Sequence, residues 1–307
     1  MDLKLKHYQN KIFILGAGAS VDYCLPTWKE LADLLKEKMK NDTDNHFKYR
    51  NDIIRWLDKV GHGKEYKTID ECINYESRAS SYRENGTKIE NEIFQAIIEI
   101  FEERYDHKEE NWIKILNDKI RDSQIKNLED EIAFINYNYD DILNKNFLNF
   151  NSLCEKDKLY HHDRINRLSA IKTKCLYPHG NFSTNEPENI IPFIDTFKTD
   201  HPEHVDAVSC HESKQHNIQL INKQYNVINT ETEVTLYILG LGSGLEINLN
   251  NIFFKNPVNK IHITIKNKNN KNKIINYLSE KFKIDPKDIE VHEHCINLIN
   301  NCFIPKF

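Results

Sequence analysis

Four short stretches, each rich in glycine or in polar side chains, follow apolar runs of strand length. They are "GAGAS" (16–20), "NYNYDD" (136–141), "HG" (179–180) and "GLGSG" (240–244). Ligands of open parallel sheets bind outside the carboxyl ends of the strands. We therefore expect the four stretches to line one crevice.

The glycine turn at 16–18 lets the chain reverse sharply and brings backbone amides close to where a pyrophosphate would bind. A tight strand-to-helix connection without a ligand explains the same residues equally well.

A hydride-transferring dinucleotide fold would carry G-x-G-x-x-G and an acidic residue at the end of the next strand. Here Val21 occupies the third glycine position, and residues 28–40 have a helical pattern instead of a strand pattern. Redox use of a dinucleotide is therefore disfavoured.

Asn138 and His179 are the side chains of these stretches best suited to chemistry. An imidazole titrates near neutral pH and can accept a proton from a hydroxyl group or from water. A carboxamide can hold a sugar hydroxyl or order a water molecule. For His179, a structural histidine in the turn after Pro178 is the alternative interpretation.

The elements that must position these residues have an α/β pattern. Apolar runs of strand length occur at 12–15, 132–135, 175–177, 234–239 and 261–265. Continuous apolar strands separated by helical stretches are typical of a parallel sheet covered on both faces. We predict one domain over 1–307. Its Rossmann-like parallel sheet, flanked by helices, is built from about 1–35 and 130–307, with a mostly helical insertion at about 36–128.

The first helix has a clear start signal. Thr27 stands at the capping position, and Glu30 follows three residues later, as in a capping box. Apolar side chains then recur at helical spacing, including Leu31 and Leu35. The pattern predicts a helix that begins at Trp28.

The composition is that of a globular protein, with 39% hydrophobic and 10% aromatic residues in 307. No segment approaches the roughly 18 consecutive apolar residues of a membrane helix. The first ten residues lack the apolar core of a secretory signal, so we expect a cytoplasmic protein. The net charge of -5 gives no general attraction for nucleic acid, and we interpret the lysine-rich stretch 260–283 as solvated surface.

The cysteines and histidines do not show a zinc-binding pattern. The chain has seven cysteines and no Cys-x-x-Cys pair. The stretches "CHESKQH" (210–216) and "HEHC" (292–295) contain side chains that bind metals, but they lack the paired spacing typical of zinc. We therefore expect no metal.

The order of the motifs resembles that of the bacterial SIR2-like proteins of anti-phage defence, a branch of the sirtuin superfamily. The motifs are "GAGAS" followed by "LPTW", then "NYD", then "HG", then "LGLGS". The resemblance covers residues 11–35 and about 130–270, and it does not extend to the helical insertion. The neighbouring AbiH abortive-infection proteins usually have an Ile-Gly-Asn-Gly-Phe-Asp style motif, so "GAGAS" favours SIR2.

The resemblance implies a site for NAD⁺. The residues that fall where the family's loop cradles the pyrophosphate are Gly16, Ala17, Gly18 and Ser20. Asn138 falls on the asparagine near the nicotinamide ribose, and His179 falls on the catalytic histidine. Asp140 completes the Asn-Tyr-Asp motif, and Gly242 with Ser243 matches a loop along the adenosine side.

Two departures from the sirtuin deacetylases argue against removal of acetyl groups from lysine. This chain lacks the cysteine pairs of the deacetylases' zinc module. Their Asp-Phe-Arg segment is replaced here by "VDYCLPTWKEL" (21–31).

The resemblance implies instead an NAD⁺ hydrolase that cleaves the bond between nicotinamide and ribose. In this interpretation NAD⁺ is the substrate, and its depletion halts the infected cell. The alternative is a module that binds or senses NAD⁺ or ADP-ribose without catalysis. The helical insertion, homo-oligomerisation or a partner defence protein is expected to supply the trigger.

Overall fold

A computed structural model describes most of the chain outside the region between 147 and 232. The described residues are 11–61, 63–66, 68–77, 83–106, 110–122, 132–138, 140, 142–143, 146, 175–176, 233–242, 245–250, 252, 254 and 257–303. Two of the predicted site residues, His179 and Ser243, lie outside this set, and so does the stretch "CHESKQH".

These residues group into two compact units. One unit contains the described residues of 1–23, 107–178 and 217–307, and the other contains those of 24–106. The proposed division into a core and an insertion, with boundaries near 35 and 130, remains a prediction. None of the described helices is both long and apolar enough to span a membrane.

The first unit is built on a parallel sheet. Its strands are β1 (Lys11–Leu15), β2 (Ile132–Asn136), β3 (Cys175–Leu176), β4 (Val234–Leu239), β5 (Val258–Thr264) and β6 (Ile289–His292). They lie in the order β3-β2-β1-β4-β5-β6, and each neighbouring pair is parallel. This order is that of the doubly wound dinucleotide-binding fold. Successive strands are added on one side of β1 as far as β3 and on its other side from β4 onwards, so the strand order changes direction between β1 and β4. The predicted fold class is confirmed.

Eight α-helices belong to the described residues. They are α1 (Trp28–Asn41), α2 (Arg50–Leu57), α3 (Ile69–Glu76), α4 (Arg83–Arg104), α5 (Trp112–Asp122), α6 (Leu245–Asn250), α7 (Lys271–Phe282) and α8 (Cys295–Cys302). Short 3₁₀ helices occur at Ala17–Tyr23, Lys268–Asn270 and Pro286–Asp288. The last four α-helices belong to the first unit, and α1 to α4 belong to the second.

Both faces of the sheet are buried, because successive side chains of a strand point to opposite faces and both sets are apolar here. On one face, aliphatic side chains pack against α6 and α7 and form a single cluster that includes Ile14, Ile238 and Leu249. On the other face, the Phe13 ring stacks on Phe134 and Tyr237, with centroids 5.0 and 4.7 Å apart. Such aromatic pairs contribute about 0.5–1.5 kcal/mol beyond the area that they bury.

The second unit is helical. Helix α1 begins at Trp28 as predicted, and the Glu30 carboxylate accepts hydrogen bonds from the backbone N–H and the hydroxyl of Thr27, both at 2.8 Å. The capping box is therefore present. Lys38 of α1 pairs with Glu99 and Glu103 of α4 at 2.9 and 2.7 Å.

Candidate functional site

The loop that follows β1 is hydrogen-bonded to the loop that follows β4. The Gly18 amide donates to the Gly240 carbonyl at 2.9 Å, and the Gly16 amide donates at 2.8 Å to the carbonyl of Leu239, the last residue of β4. Because β1 and β4 are the strands at which the sheet order reverses, the two loops meet at the topological switch point. Ligands of doubly wound folds bind in the crevice at this position.

The glycines of the two loops are required by this close approach. A Cβ atom on Gly16 would lie 2.7 Å from Leu241 Cα, and one on Gly18 would lie 2.8 Å from Gly240 Cα. Gly240 itself has a φ of +67°, and a Cβ there would collide with the Ala19 backbone nitrogen. The packing of the two loops therefore explains these glycines whether or not a phosphate binds beside them.

Three amides of the loop that follows β1 are already used inside the protein, and two of them, those of Gly16 and Gly18, belong to the predicted pyrophosphate cradle. Besides those of Gly16 and Gly18, the Ala19 amide donates to the Gly16 carbonyl at 2.8 Å. These N–H groups are not available to a phosphate in this conformation. The assignment of the loop as a cradle remains a prediction.

Asn138, just beyond β2, holds the glycine loop through its side chain. Its Nδ2 donates to the Gly16 carbonyl and to the Ser20 hydroxyl, both at 3.0 Å. Its backbone N–H donates to Asn136 Oδ1, also at 3.0 Å. Because Gly16 O can only accept, the amide nitrogen must face the loop, and the orientation of the carboxamide is fixed.

The Ser20 hydroxyl continues this network to Asp140. It donates to Asp140 Oδ2 at 2.6 Å. Ser20 Oγ therefore accepts a hydrogen bond from Asn138 and donates one to Asp140. The other carboxylate oxygen, Asp140 Oδ1, accepts from the Ile142 amide at 3.2 Å. Ser20, Asn138 and Asp140 are only 4%, 5% and 6% exposed. Buried polar groups that are hydrogen-bonded to one another in this way favour a single local conformation.

The structure thus brings together five of the predicted site residues. Those joined by hydrogen bonds or by loop packing are Gly16, Gly18, Ser20, Asn138 and Asp140. Ala17 lies partly buried in the same loop. Gly242 is exposed with a φ of +52°, and a Cβ on it would meet nothing within 4 Å. His179 and Ser243 are not among the described residues.

Two supports of the β1 loop were not identified from the sequence. Trp112 Nε1 donates to the Ala19 carbonyl at 2.8 Å, and the Tyr23 hydroxyl donates to Asn111 Oδ1 at 2.6 Å. A buried tryptophan requires an acceptor for its N–H. The residue type therefore signals that an acceptor exists, but not that it lies 93 positions away.

A second group of side chains, all of types that can bind a metal ion, lies on the aromatic face of the sheet, between β5, β6 and α8. We call it the His-Glu-His-Cys cluster, and its members are His262, Glu290, His292 and Cys302. One ligand atom from each residue lies within 4.8 Å of the others. The "HEHC" stretch contributes only His292 to it, because His294 is exposed and Cys295 is buried elsewhere.

The environment shifts the pKa values of this cluster. Burial lowers the pKa of His262 to about 4 and also lowers that of His292. Burial raises the pKa of the Cys302 thiol to about 11, and the nearby Glu290 carboxylate adds to the shift. The hydrogen bond from Lys260 lowers the pKa of Glu290. Both imidazoles are therefore neutral near pH 7, with nitrogen lone pairs available.

Comparison of the chain with protein-family models and with curated protein sequences finds no match. The resemblance to SIR2-like proteins therefore remains an interpretation of the four motifs. The fold that it implied agrees with the strand order, but that order is shared by many dinucleotide-binding proteins.

Proposed function

We propose that the crevice at the carboxyl ends of β1, β2 and β4 binds NAD⁺ and that the protein cleaves its nicotinamide–ribose bond, as a SIR2-type NAD⁺ hydrolase of anti-phage abortive infection. The observation that carries the proposal is the convergence of the glycine loops and Asn138 at the switch point of the sheet. A bound dinucleotide in a fold of this strand order lies across that position.

The role of Asn138 follows from its fixed orientation. Its two amide hydrogens are directed to Gly16 and Ser20, so the side-chain oxygen Oδ1 is the atom left for a ligand. An acceptor of this kind suits a ribose hydroxyl or a water molecule. Asn138 would then position the sugar by accepting a hydrogen bond and would not donate one.

The cleavage itself makes modest demands on the protein. The pyridinium of NAD⁺ is a good leaving group, so the site has to orient it, stabilise an oxocarbenium-like carbon and admit a nucleophile. In this proposal His179 accepts the proton of the nucleophile or of a ribose hydroxyl. Whether water or another acceptor attacks distinguishes hydrolysis from transfer.

Binding and cleavage are tested separately, because a toxic hydrolase can be silent without its trigger. Calorimetric titration of the purified full chain with NAD⁺ should give one site per chain. Chromatography of the incubated mixture should show equal amounts of nicotinamide and ADP-ribose. His179→Ala should lower the cleavage rate about 10²- to 10⁴-fold. The exposed His294→Ala is the matched control and should leave the rate unchanged.

A module that binds or senses NAD⁺ or ADP-ribose is the second candidate, and one observation favours it. The donor hydrogens of Asn138 and the hydroxyl of Ser20 are all engaged in holding the loop, as expected of structural residues. Such a module would bind one NAD⁺ per chain and release no nicotinamide. The unaltered chain and His179→Ala would then both lack cleavage activity. Failure of the chain to bind either ligand would contradict both candidates.

A further inference from the structure

The His-Glu-His-Cys cluster is assembled by the sheet register and by the end of the last helix. His262 of β5 is paired with Glu290 of β6 in the parallel ladder. His292 lies two residues after Glu290 and therefore points to the same face of the strand. Cys302, the last residue of α8, reaches the same place from above this face.

The distances between the cluster atoms agree with ligands arranged around one ion. Glu290 Oε2 lies 3.2 Å from His262 Nδ1, 3.5 Å from Cys302 Sγ and 4.0 Å from His292 Nε2. Cys302 Sγ lies 3.2 Å from His292 Nε2. Tetrahedral zinc bonds of about 2.0–2.3 Å place neighbouring ligand atoms about 3.3–3.6 Å apart. The remaining pairs of ligand atoms lie within 4.8 Å, so small movements of the side chains would bring the four atoms to the separations that zinc requires.

His262 provides a second and independent observation. This residue is 3% exposed, and its Nδ1 has no hydrogen-bond partner among the described residues. Glu290 Oε2 is near enough, at 3.2 Å, but the two atoms are not oriented for a hydrogen bond. Buried nitrogen atoms without partners are rare in native proteins. A metal ion at the centre of the cluster would satisfy this atom.

Ordinary hydrogen bonds do not account for the cluster equally well. The Cys302 thiol lies within reach of both Glu290 and His292. It has only one proton, so it can donate to one of them at a time. Neither choice pairs His262 Nδ1.

A neighbouring lysine orients one of the ligands. Lys260 Nζ lies 2.6 Å from Glu290 Oε1 and leaves Oε2 facing the cluster. Such outer contacts orient metal ligands.

We propose that His262, Glu290, His292 and Cys302 bind one Zn²⁺ ion, which fastens α8 to β5 and β6. Two imidazoles, a thiolate and a carboxylate form a ligand set that suits zinc. Because the protein supplies all four ligands, the site is closed and structural, without an open position for a substrate. Zinc binds the thiolate, so binding releases the proton of Cys302 to solvent.

The test uses the purified full chain, stripped with a chelator and reloaded with Zn²⁺ alone or Co²⁺ alone. Elemental analysis should find one zinc per chain. The cobalt form should show a thiolate-to-metal charge-transfer absorption band. Cys302→Ser should abolish that band, and Cys302→Ser and Glu290→Gln should each weaken zinc affinity by at least about 100-fold, the upper end of the loss that outer-shell changes produce. Glu290→Gln changes a partly exposed side chain, so it serves as the variant least expected to impair folding.

Two matched controls separate the cluster from its neighbours in the sequence. His294→Gln changes the exposed histidine of the same "HEHC" stretch, and Cys24→Ser removes an exposed thiol of the second unit. Both variants should bind zinc as the unaltered chain does. Less than half an equivalent of zinc in the unaltered chain would overturn the proposal. It would also be overturned by a cobalt spectrum without the thiolate band. The third contradicting result is that the Cys302→Ser and Glu290→Gln variants fold and bind zinc as tightly as the unaltered chain.

Discussion

Ser20→Ala is the substitution that most directly tests the network beneath the glycine loop. The hydroxyl accepts from Asn138 Nδ2 at 3.0 Å and donates to the Asp140 carboxylate at 2.6 Å, and both bonds are buried. A hydrogen bond to a charged group contributes about 1.5–3 kcal/mol and a neutral one about 0.5–1.5 kcal/mol. We therefore expect the free energy of unfolding of the first unit to fall by about 2–4 kcal/mol.

Native-state hydrogen exchange measures this loss in the unit concerned. Global unfolding curves of a chain with two units need not follow a single transition, whereas amide protection in β1 and β2 reports the first unit. The matched control is Ser279→Ala in the same unit, because that hydroxyl makes one partly buried bond, to the Ile284 carbonyl at 2.7 Å. It should cost only about 1 kcal/mol.

A double-mutant cycle gives the refuting result. Ser20→Ala and Asp140→Ala should be strongly non-additive, with a coupling energy of about 0.5–3 kcal/mol, because each substitution removes the bond that the two side chains share. If Ser20→Ala changed β1 protection by no more than Ser279→Ala, or if the cycle were additive, the network would not stabilise the loop as argued.

Three other substitutions and one labelling reaction test further features of the structure. Gly240→Ala should destabilise the first unit by at least about 3 kcal/mol, because its φ is +67° and its Cβ would collide with the β1 loop. Gly63→Ala, with positive φ in open space, should cost about 1 kcal/mol in thermal melts. Trp112→Phe should lower stability by about 1–3 kcal/mol in urea titrations by leaving a buried carbonyl unpaired. In peptide mapping after thiol labelling at pH 8, exposed Cys24 should react. Cys72, whose pKa burial raises to about 12, should not; equal labelling would contradict its burial.

The sheet was predictable from the sequence because its strands are buried on both faces. Continuous apolar runs identified β1, β2 and β4 to within one residue at each end. The start of β5 was placed three residues late, at 261 instead of Val258. Asn259 and Lys260 interrupt the apolar pattern there, although the backbone is already paired with β4.

The crevice was predictable only in part. The carboxyl ends of parallel strands necessarily share an edge, so the meeting of Gly16 and Asn138 followed from the strand assignments. The engagement of the loop amides did not follow, because it depends on how closely the β4 loop approaches. That approach is set by Gly240, a single residue whose positive φ cannot be read from its neighbours in the chain.

The His-Glu-His-Cys cluster was missed because its members come from three elements. His262 is 28 positions before Glu290, and Cys302 is ten positions after His292. The sequence signal is a polar pair at 290 and 292, with the period of a strand, on an element whose other side is apolar. The contiguous stretch "HEHC" does not identify the cluster, because it shares only His292 with it, while His294 is exposed and Cys295 is buried elsewhere.

Asn138 has both a structural and a proposed functional role, and the two must be separated before catalysis is assigned. Asn138→Ala removes two hydrogen bonds to the glycine loop as well as the side-chain oxygen Oδ1, so a loss of activity alone would not distinguish the roles. Ser20→Ala loosens the same loop and keeps Oδ1. If Oδ1 holds the ribose, NAD⁺ cleavage per folded molecule should largely persist in Ser20→Ala and disappear in Asn138→Ala. Equal losses in both variants would mean that Asn138 acts only by holding the loop.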